Sequence, residues 1–449
     1  MTTKLKSVTG SVVAPQGFRA AGVFCDIKRL GTGKGSDKGP KRDLALIVSD
    51  VPAAVAGMFT TNQVCAAPVK VCLDRVRQGW AQAVVVNSGN ANACTGPTGL
   101  RDARSMTADA ARHCGVEESL VLVGSTGRIG VPMPMPNVRR GIAAAARELD
   151  NTPASAGAAA EAIMTSDTRS KQIAVEFTLG GRKVRLGGMC KGAGMIQPGM
   201  SATGARPAAG WGGLHATMLA FLTCDAAVEP ELLQSLLQEA VAASFNRITV
   251  DGDMSTNDTV LLLANGLAEN PVLRARDRSA ARKADQGVLR EAIRHVCLEL
   301  AKMIVRDGEG TTRVVTVRVE GARNPAEADA AARAVANSAL VKTSWHGGDP
   351  NWGRIIDALG YSAARVVEDR VDIGYSAVGG RRVLYSLKGG RPTKVSFARL
   401  CAAAAPAEFE LHIQLNQGRG TAVVYASDLT EAYVEFNKGN VSDPASLGG

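Results

Sequence analysis

Apolar and polar positions alternate in short blocks along the 449-residue chain. Three runs, LALIVSD (44–50), AVVVNSG (83–89) and SLVLVGSTG (119–127), are mostly apolar and close on Gly, Ser or Asn, which predicts buried strands ending in loops. Ala- and Arg-rich stretches at 103–114 and 137–149 predict helices. From Asp285 to Arg306, the residues Leu289, Ile293, Val296, Leu300 and Ile304 recur at three- and four-residue spacing. That run predicts an amphipathic helix stopped by Asp307-Gly308. Gly31–Arg42 and Ser201–Gly213 interrupt the pattern with Gly and small residues, which predicts mobile loop insertions. The closing SDPASLGG carries no periodicity, and no repeat of roughly 20–50 residues is present. The expected class is mixed α/β.

Composition narrows the functions. The length allows roughly two to four domains with a sizeable core. An apolar fraction of 45% with 21% charged residues excludes a disordered polyelectrolyte. The net charge of +10 favours acidic small molecules. However, the basic residues are scattered and aromatics make up only 4%, which argues against a nucleic-acid partner that stacks bases. Nine cysteines form no CxxC pair and no zinc spacing, so buried free thiols in a reducing compartment are expected. The N-terminus lacks the apolar core of a secretory signal, and no run approaches roughly 18 apolar residues. A soluble, cytoplasmic protein without a membrane partner is the expectation.

Three familiar motifs fail on single residues. Gly31-Thr32-Gly33-Lys34 is followed by Gly35 and preceded by Lys28, so no phosphate loop is complete. Gly192-Ala193-Gly194 meets Gln197 where a dinucleotide fingerprint needs its third Gly. Asp251-x-Asp253-x-Ser255 continues to Thr256 and Leu262, where a calcium loop needs Gly and Glu. No metal and no cofactor is expected.

The stretch Met189 to Val228 is different. MCKGAGMIQPGM, the second insertion and HATMLAFLTCDAAV place Ala216 and Thr217 between a Gly-rich loop and an apolar strand. An N-terminal-nucleophile enzyme needs such a junction. Cleavage before Thr217 frees an α-amine, with a reference pKa of about 8, to act as base for the Thr hydroxyl. An ordinary loop entering a buried strand would read the same way.

KGAGMIQPGM followed by ATMLAFLTCDA resembles KGxGMIxPxMATMLAF, the junction of the ornithine acetyltransferase (glutamate N-acetyltransferase) family. The resemblance runs through GFRAAGVFCDIK, RDLALIVSD, AGMFTTN, VVVNSGNANACTG, STGRIG, AIMTSDTRSK, SFNRITVDGDMSTNDTV, RDGEGTTR, NSALVKTSWHGGDPNWGRI and DLTEAYVEFN, in that order. It implies stacked layers of sheets and helices (αββα-like), formed by two autoprocessed chains, with a smaller C-terminal α/β domain. Residues 1–216 would be one chain and 217–449 the other, paired into a heterotetramer of two of each. The implied reaction moves acetyl from N2-acetyl-L-ornithine to L-glutamate through acetyl-Thr217, and leaves acetyl-CoA open as a further donor.

The resemblance also implies roles. Thr126 and Gly127 would form the oxyanion hole, while Thr165, Lys191, Thr217, Glu309, Asn437 and Ser442 would contact substrate. Lys191 suits a carboxylate and Glu309 an ammonium. His346 and Asp349 look catalytic, but the family does not use them; they are expected to be structural, with Trp345 and Trp352 packed nearby. The chain departs from the family in its tail, NKGNVSDPASLGG, where Ser442 takes the place of a family Ser/Thr. It departs again between Lys191 and Thr217, which the insertion spreads to 26 positions apart. Ala202-Thr203 keeps nearly the usual spacing and is a rival processing site. An amidase of the same nucleophile class and an unprocessed amino-acid-binding paralogue are the alternative functions.

Overall fold

The computed structural model describes residues 5–28, 40–205 and 218–438. The three apolar runs lie side by side in it. Strands β1 (Lys6–Ser7), β2 (Phe18–Val23), β3 (Leu44–Thr60), β4 (Trp80–Asn90), β5 (Val121–Arg128), β6 (Lys171–Leu179), β7 (Arg182–Lys191), β8 (Met200–Ser201) and β9 (Leu219–Cys224) belong to one sheet. Strand β10 (Ile248–Thr249) leaves for a second sheet, and β11 (Thr259–Ala264) returns to complete ten strands in the first. Their order is β1-β6-β7-β9-β11-β3-β4-β5, with β2 and β8 also pairing β3. Strands on both sides of the Ala216–Thr217 junction are therefore neighbours: β7 runs antiparallel to β9, with Lys191 opposite Leu219.

The central strands are apolar on both faces because helices cover both. Helices α1 (Ala67–Val76), α2 (Gly96–Cys114), α3 (Met135–Arg147) and α4 (Pro153–Ala162) share one core with the sheet. Helices α5 (Pro230–Ala242) and α6 (Ala280–Arg306) share the other. Two helices begin earlier than their apolar spacing predicts, for identifiable reasons. Pro97 opens α2, where a missing N–H costs nothing, and Gly115 ends it at φ 68°. Ser279 caps α6, its hydroxyl accepting the Arg282 N–H at 3.3 Å.

The second sheet has seven strands in the order β10-β17-β12-β16-β13-β14-β15. They are β10, β12 (Val314–Ala322), β13 (Asp372–Ala377), β14 (Leu384–Lys388), β15 (Arg391–Pro392), β16 (Glu408–Gln414) and β17 (Gly420–Ser427). Helices α7 (Pro325–Asn337), α8 (Ala339–His346), α9 (Trp352–Gly360) and α10 (Phe397–Ala404) build its separate core, and α11 (Glu431–Asn437) ends the described chain. Helix α6 packs against β6 and β7 on one side and touches β10 and β17 on the other, stacking the two sheets. The expected mixed α/β layers and smaller C-terminal unit are thus present. Among the described residues no helix is long and apolar enough to cross a membrane. All nine cysteines are free; Cys25, Cys72, Cys190, Cys224 and Cys297 are buried, whereas Cys94 is exposed. That exposure departs from the expectation, and Cys94 turns outward at φ 56° in the loop before α2.

Candidate active site

Four loops from different parts of the chain meet at one end of the ten-stranded sheet. The first is the tip of β5. Thr126 is 1% exposed, and its Oγ1 is buried with no hydrogen-bond partner among the described residues. Gly127 follows at φ 129°, pressed so closely on β4 that a Cβ there would lie 2.4 Å from the Gly89 carbonyl carbon. Only glycine fits that approach. A buried hydroxyl without a partner thus stands next to a backbone position that only glycine can occupy.

The second loop carries Asn257 and Asp258 into β11. Asn257 Nδ2 donates to Ser125 O at 2.8 Å and to Ala91 O at 2.6 Å, which ties this loop to the residue before Thr126. Asp258 Oδ1 accepts the Met218 N–H at 2.7 Å. Met218 directly follows Thr217 in sequence, so the chain after the expected cleavage point is anchored by the residue next to the one that reaches Ser125 on β5. Ala216, Thr217 and Ser442 themselves lie outside the described residues. Thr203, the rival nucleophile, sits exposed on the turn after β8, its hydroxyl accepting the Ala205 N–H at 3.3 Å.

The Gly-rich loop after β7 is the third. Lys191 is 2% exposed rather than solvated, and its Nζ stands 4.0 Å from Asp167 Oδ2. Burial pulls the Lys191 ammonium below its ordinary pKa, although Asp167 opposes the shift. Asp167 accepts Lys171 Nζ at 2.6 Å, Gly192 N–H at 2.7 Å and Thr165 N–H at 2.9 Å, which fixes the loop bearing Thr165. Burial raises the Asp167 carboxyl, but Lys191, Lys171 and the Gly192 N–H outweigh it and hold the pKa at about 2. Lys171 also donates to Asp307 Oδ2 at 2.5 Å, and Asp307 takes the Thr168 hydroxyl and N–H. Asp251, of the failed calcium motif, has work of its own: it accepts Met195 N–H at 2.6 Å and Ile196 N–H at 2.7 Å, shaping the same Gly-rich loop.

The fourth loop follows α6. Glu309 N–H donates to Ala193 O at 2.9 Å, and its carboxyl rests on Gly194, where a Cβ would lie 2.5 Å from the carboxyl atoms. Asn437 Nδ2 on α11 donates to Glu309 Oε2 at 2.9 Å. Lys191, Glu309 and Asn437 are therefore brought to one place, with Thr165 linked through Asp167. His346 takes no place there: its ring meets Thr312 Oγ1 at 3.2 Å and Glu431 Oε2 at 3.0 Å, bracing the β17–α11 connection. Asp349 holds Asn351, and Trp345 is buried in the core of the second sheet, with Trp352 against that core.

Asp167, Asn257, Asp258 and Asp307 were not singled out by their residue types. The available signal was positional. Asn257-Asp258 heads TVLLLA, a fully buried strand, so its polar side chains are buried without partners unless they turn back on another loop.

The ArgJ family model matches residues 19–440. The arginine biosynthesis bifunctional protein ArgJ of Symbiobacterium thermophilum is 46% identical over 430 residues, covering 96% of this chain and 98% of that protein. Its namesake from Geobacter sulfurreducens is 47% identical over 422 residues, covering 94% and 98%. Among solved structures, ornithine acetyltransferase of Mycobacterium tuberculosis in complex with ornithine is 38% identical, covering 44% of this chain and 100% of that chain at a TM-score of 0.39. With a family match that spans nearly the whole sequence and relatives aligned end to end, the chain belongs to the ArgJ family.

Proposed function

We propose that this chain is an arginine-biosynthesis acetyltransferase that moves the acetyl group of N2-acetyl-L-ornithine to L-glutamate through acetyl-Thr217. The carrying observation is the buried, unpartnered Thr126 hydroxyl at the strand tip that Asn257-Asp258 ties to Met218. In this reading the chain cleaves itself between Ala216 and Thr217 into segments 1–216 and 217–449. The two remain interlocked because β7 and β9 share a ladder, and such pairs associate as a heterotetramer.

Thr217 Oγ attacks the acetamide carbonyl while the Thr217 α-amine accepts the hydroxyl proton. The carbonyl oxygen gains charge as the C–O bond forms, and Thr126 Oγ1 with the Gly127 N–H stabilises it. The C–N bond breaks, the Thr217 ammonium returns the proton to the departing nitrogen, and ornithine leaves. Glutamate's neutral amine then attacks the acetyl ester and passes its proton to the α-amine, and the Thr217 hydroxyl is restored. Glu309, held by Asn437, matches the distal ammonium of ornithine; Lys191 matches a carboxylate, and Thr165 and Ser442 add polar contacts. Acetyl-CoA is a candidate further donor.

Incubation with acetylornithine, with and without glutamate, tests this reading. Acetylglutamate should form only when both are present, with little acetate. Acetate released at the same rate without glutamate would identify an amidase instead, and absence of any turnover would favour the unprocessed binding protein.

A further inference from the structure

Strand β4 is apolar up to Val86 and then turns polar without leaving the interior: Asn87, Ser88 and Asn90 are fully buried. Buried amides and hydroxyls destabilise a fold unless they are hydrogen-bonded, and each of these finds partners. Ser88 Oγ donates to Ala162 O at 2.6 Å. Asn87 Nδ2 donates to Asn90 O at 2.9 Å, while Asn87 Oδ1 accepts the Ser125 hydroxyl at 2.6 Å. A carbonyl can only accept, so Asn90 O fixes which end of the Asn87 amide faces it and leaves the amide oxygen for Ser125. Asn90 Nδ2 donates in turn to Val131 O at 3.0 Å and Pro132 O at 3.1 Å.

These contacts bracket Thr126-Gly127. On one side Ser125 is held through its hydroxyl by Asn87 and through its carbonyl by Asn257, at 2.8 Å. On the other, Ala91 N–H donates to Arg128 O at 2.9 Å, and Asn90 holds the two carbonyls farther on. The β4–β5 register shifts between these points, with Asn90 facing both Thr126 and Arg128. The backbone is also stacked three deep. Gly127 presses on Gly89, and a Cβ on Gly89 would lie 2.6 Å from Lys28 Cα. Of the side chains of Asn87, Ser88, Asn90, Ser125 and Thr126, that of Thr126 alone keeps a buried polar atom without a partner among the described residues.

We propose that Asn87 is a positioning residue for the oxyanion donors: its amide locks Ser125 to Asn90 and so fixes the place of the Thr126 hydroxyl and the Gly127 N–H. This rests on the reading of that pair as the groups that stabilise the oxyanion. Donors fixed before the reaction need no reorganisation as charge develops, and their value falls steeply when they stray from the place the oxygen takes. Asn87 acts on them through Ser125 and Asn90, one residue to either side of the pair and its facing glycine. Its loss should therefore slow the acylation step rather than weaken substrate binding.

The test uses the full chain carrying Asn87→Ala, Ser125→Ala or Thr126→Ala, and the first two again in combination with Thr126→Ala. Thermal melting reports folding, single-turnover kinetics report the rate of acetyl-enzyme formation, and steady-state transfer to glutamate gives KM. Asn87→Ala should slow acetyl-enzyme formation by about 10- to 100-fold, with KM for acetylornithine within about twofold of the parent, as donors displaced by up to ~1 Å would require. In the Thr126→Ala background the same substitution should cost about threefold or less, because the hydroxyl it positions is gone. Ser125→Ala should show the same pattern with a smaller loss, and it decides alone if Asn87→Ala fails to fold. A parent rate in the folded variant would overturn the proposal. So would an equal loss with and without the Thr126 hydroxyl, since a merely structural amide would slow both backgrounds alike. A parent rate in Thr126→Ala, or no acetyl transfer by the parent chain, defeats the proposed function itself; a slow Thr126→Ala with fully additive losses defeats only this inference.

Discussion

Replacing Gly194 by alanine moves the Glu309 carboxylate without changing any charge. The added Cβ would start 2.5 Å from all three carboxyl atoms, and ordinary contact begins near 3.4 Å. The carboxylate must therefore shift by about 0.9 Å, the difference between those two distances. Because the obstructing atoms are the far end of a side chain and Gly194 does not have a left-handed φ, the backbone can stay in place. The 2.9 Å bond from Asn437 would be broken or re-formed elsewhere. Misplacing a binding group by about 1 Å costs up to ~10²-fold in rate when geometry sets the reaction. Gly194→Ala should thus lower kcat/KM for acetylornithine by about 10- to 100-fold while the melting temperature changes little. The two half-reactions measured separately, acetyl-enzyme formation and deacylation by glutamate, would place the loss in the first. An unchanged rate of acetyl-enzyme formation in a correctly folded variant would refute the claim that the position of Glu309 governs donor use.

Other perturbations separate the remaining roles. Glu309→Gln should weaken acetylornithine use much more than glutamate use, since a charge-assisted bond becomes a neutral one of roughly half the strength; equal losses would mean that Glu309 holds the site together. Thr126→Ala should spare folding and slow acetyl-enzyme formation by about 10²–10³-fold, with single-turnover kinetics as the check. Lys171→Met should destabilise the fold by roughly 3–5 kcal/mol by leaving Asp167 and Asp307 buried without their shared cation, and urea unfolding would reveal an error if the loss were negligible. Asp167 has a folded pKa of about 2, below that of an unfolded aspartate, so its stabilisation is complete above about pH 4 and fades as pH falls towards 2. That part of the acid dependence of unfolding should be missing in Asp167→Asn, and an identical slope would contradict the assignment.

Much of the scaffold was legible because burial leaves a periodic trace. The α6 stripe and the β4 and β5 runs match their elements within a few residues. Strand β3 was legible only in part: the run 44–50 continues to Thr60, past Pro52 and Gly57 and through an irregularity between Val48 and Ala53. Those residues read locally as a break, and only pairing with β4, β8 and β11 keeps the strand going. At the site, Lys191 and Glu309 could be placed beside a glycine loop and a helix end, but not together. Their meeting depends on Gly194 letting the carboxylate rest on the loop. Asp167 and Asp258 were hidden for a related reason, since each serves backbone N–H groups on loops distant in sequence. Nothing in the local residue pattern specifies which amide a buried carboxyl will meet.

Intact-mass measurement of the purified protein, with N-terminal sequencing of each species, tests the account most directly. Cleavage before Thr217 leaves 216 residues and 449 − 216 = 233 residues. In proportion to 46.6 kDa, these are fragments of about 22 and about 24 kDa, the second beginning Thr-Met-Leu-Ala-Phe. A fully active single species of 46.6 kDa, or a second fragment that begins at Thr203, would contradict it.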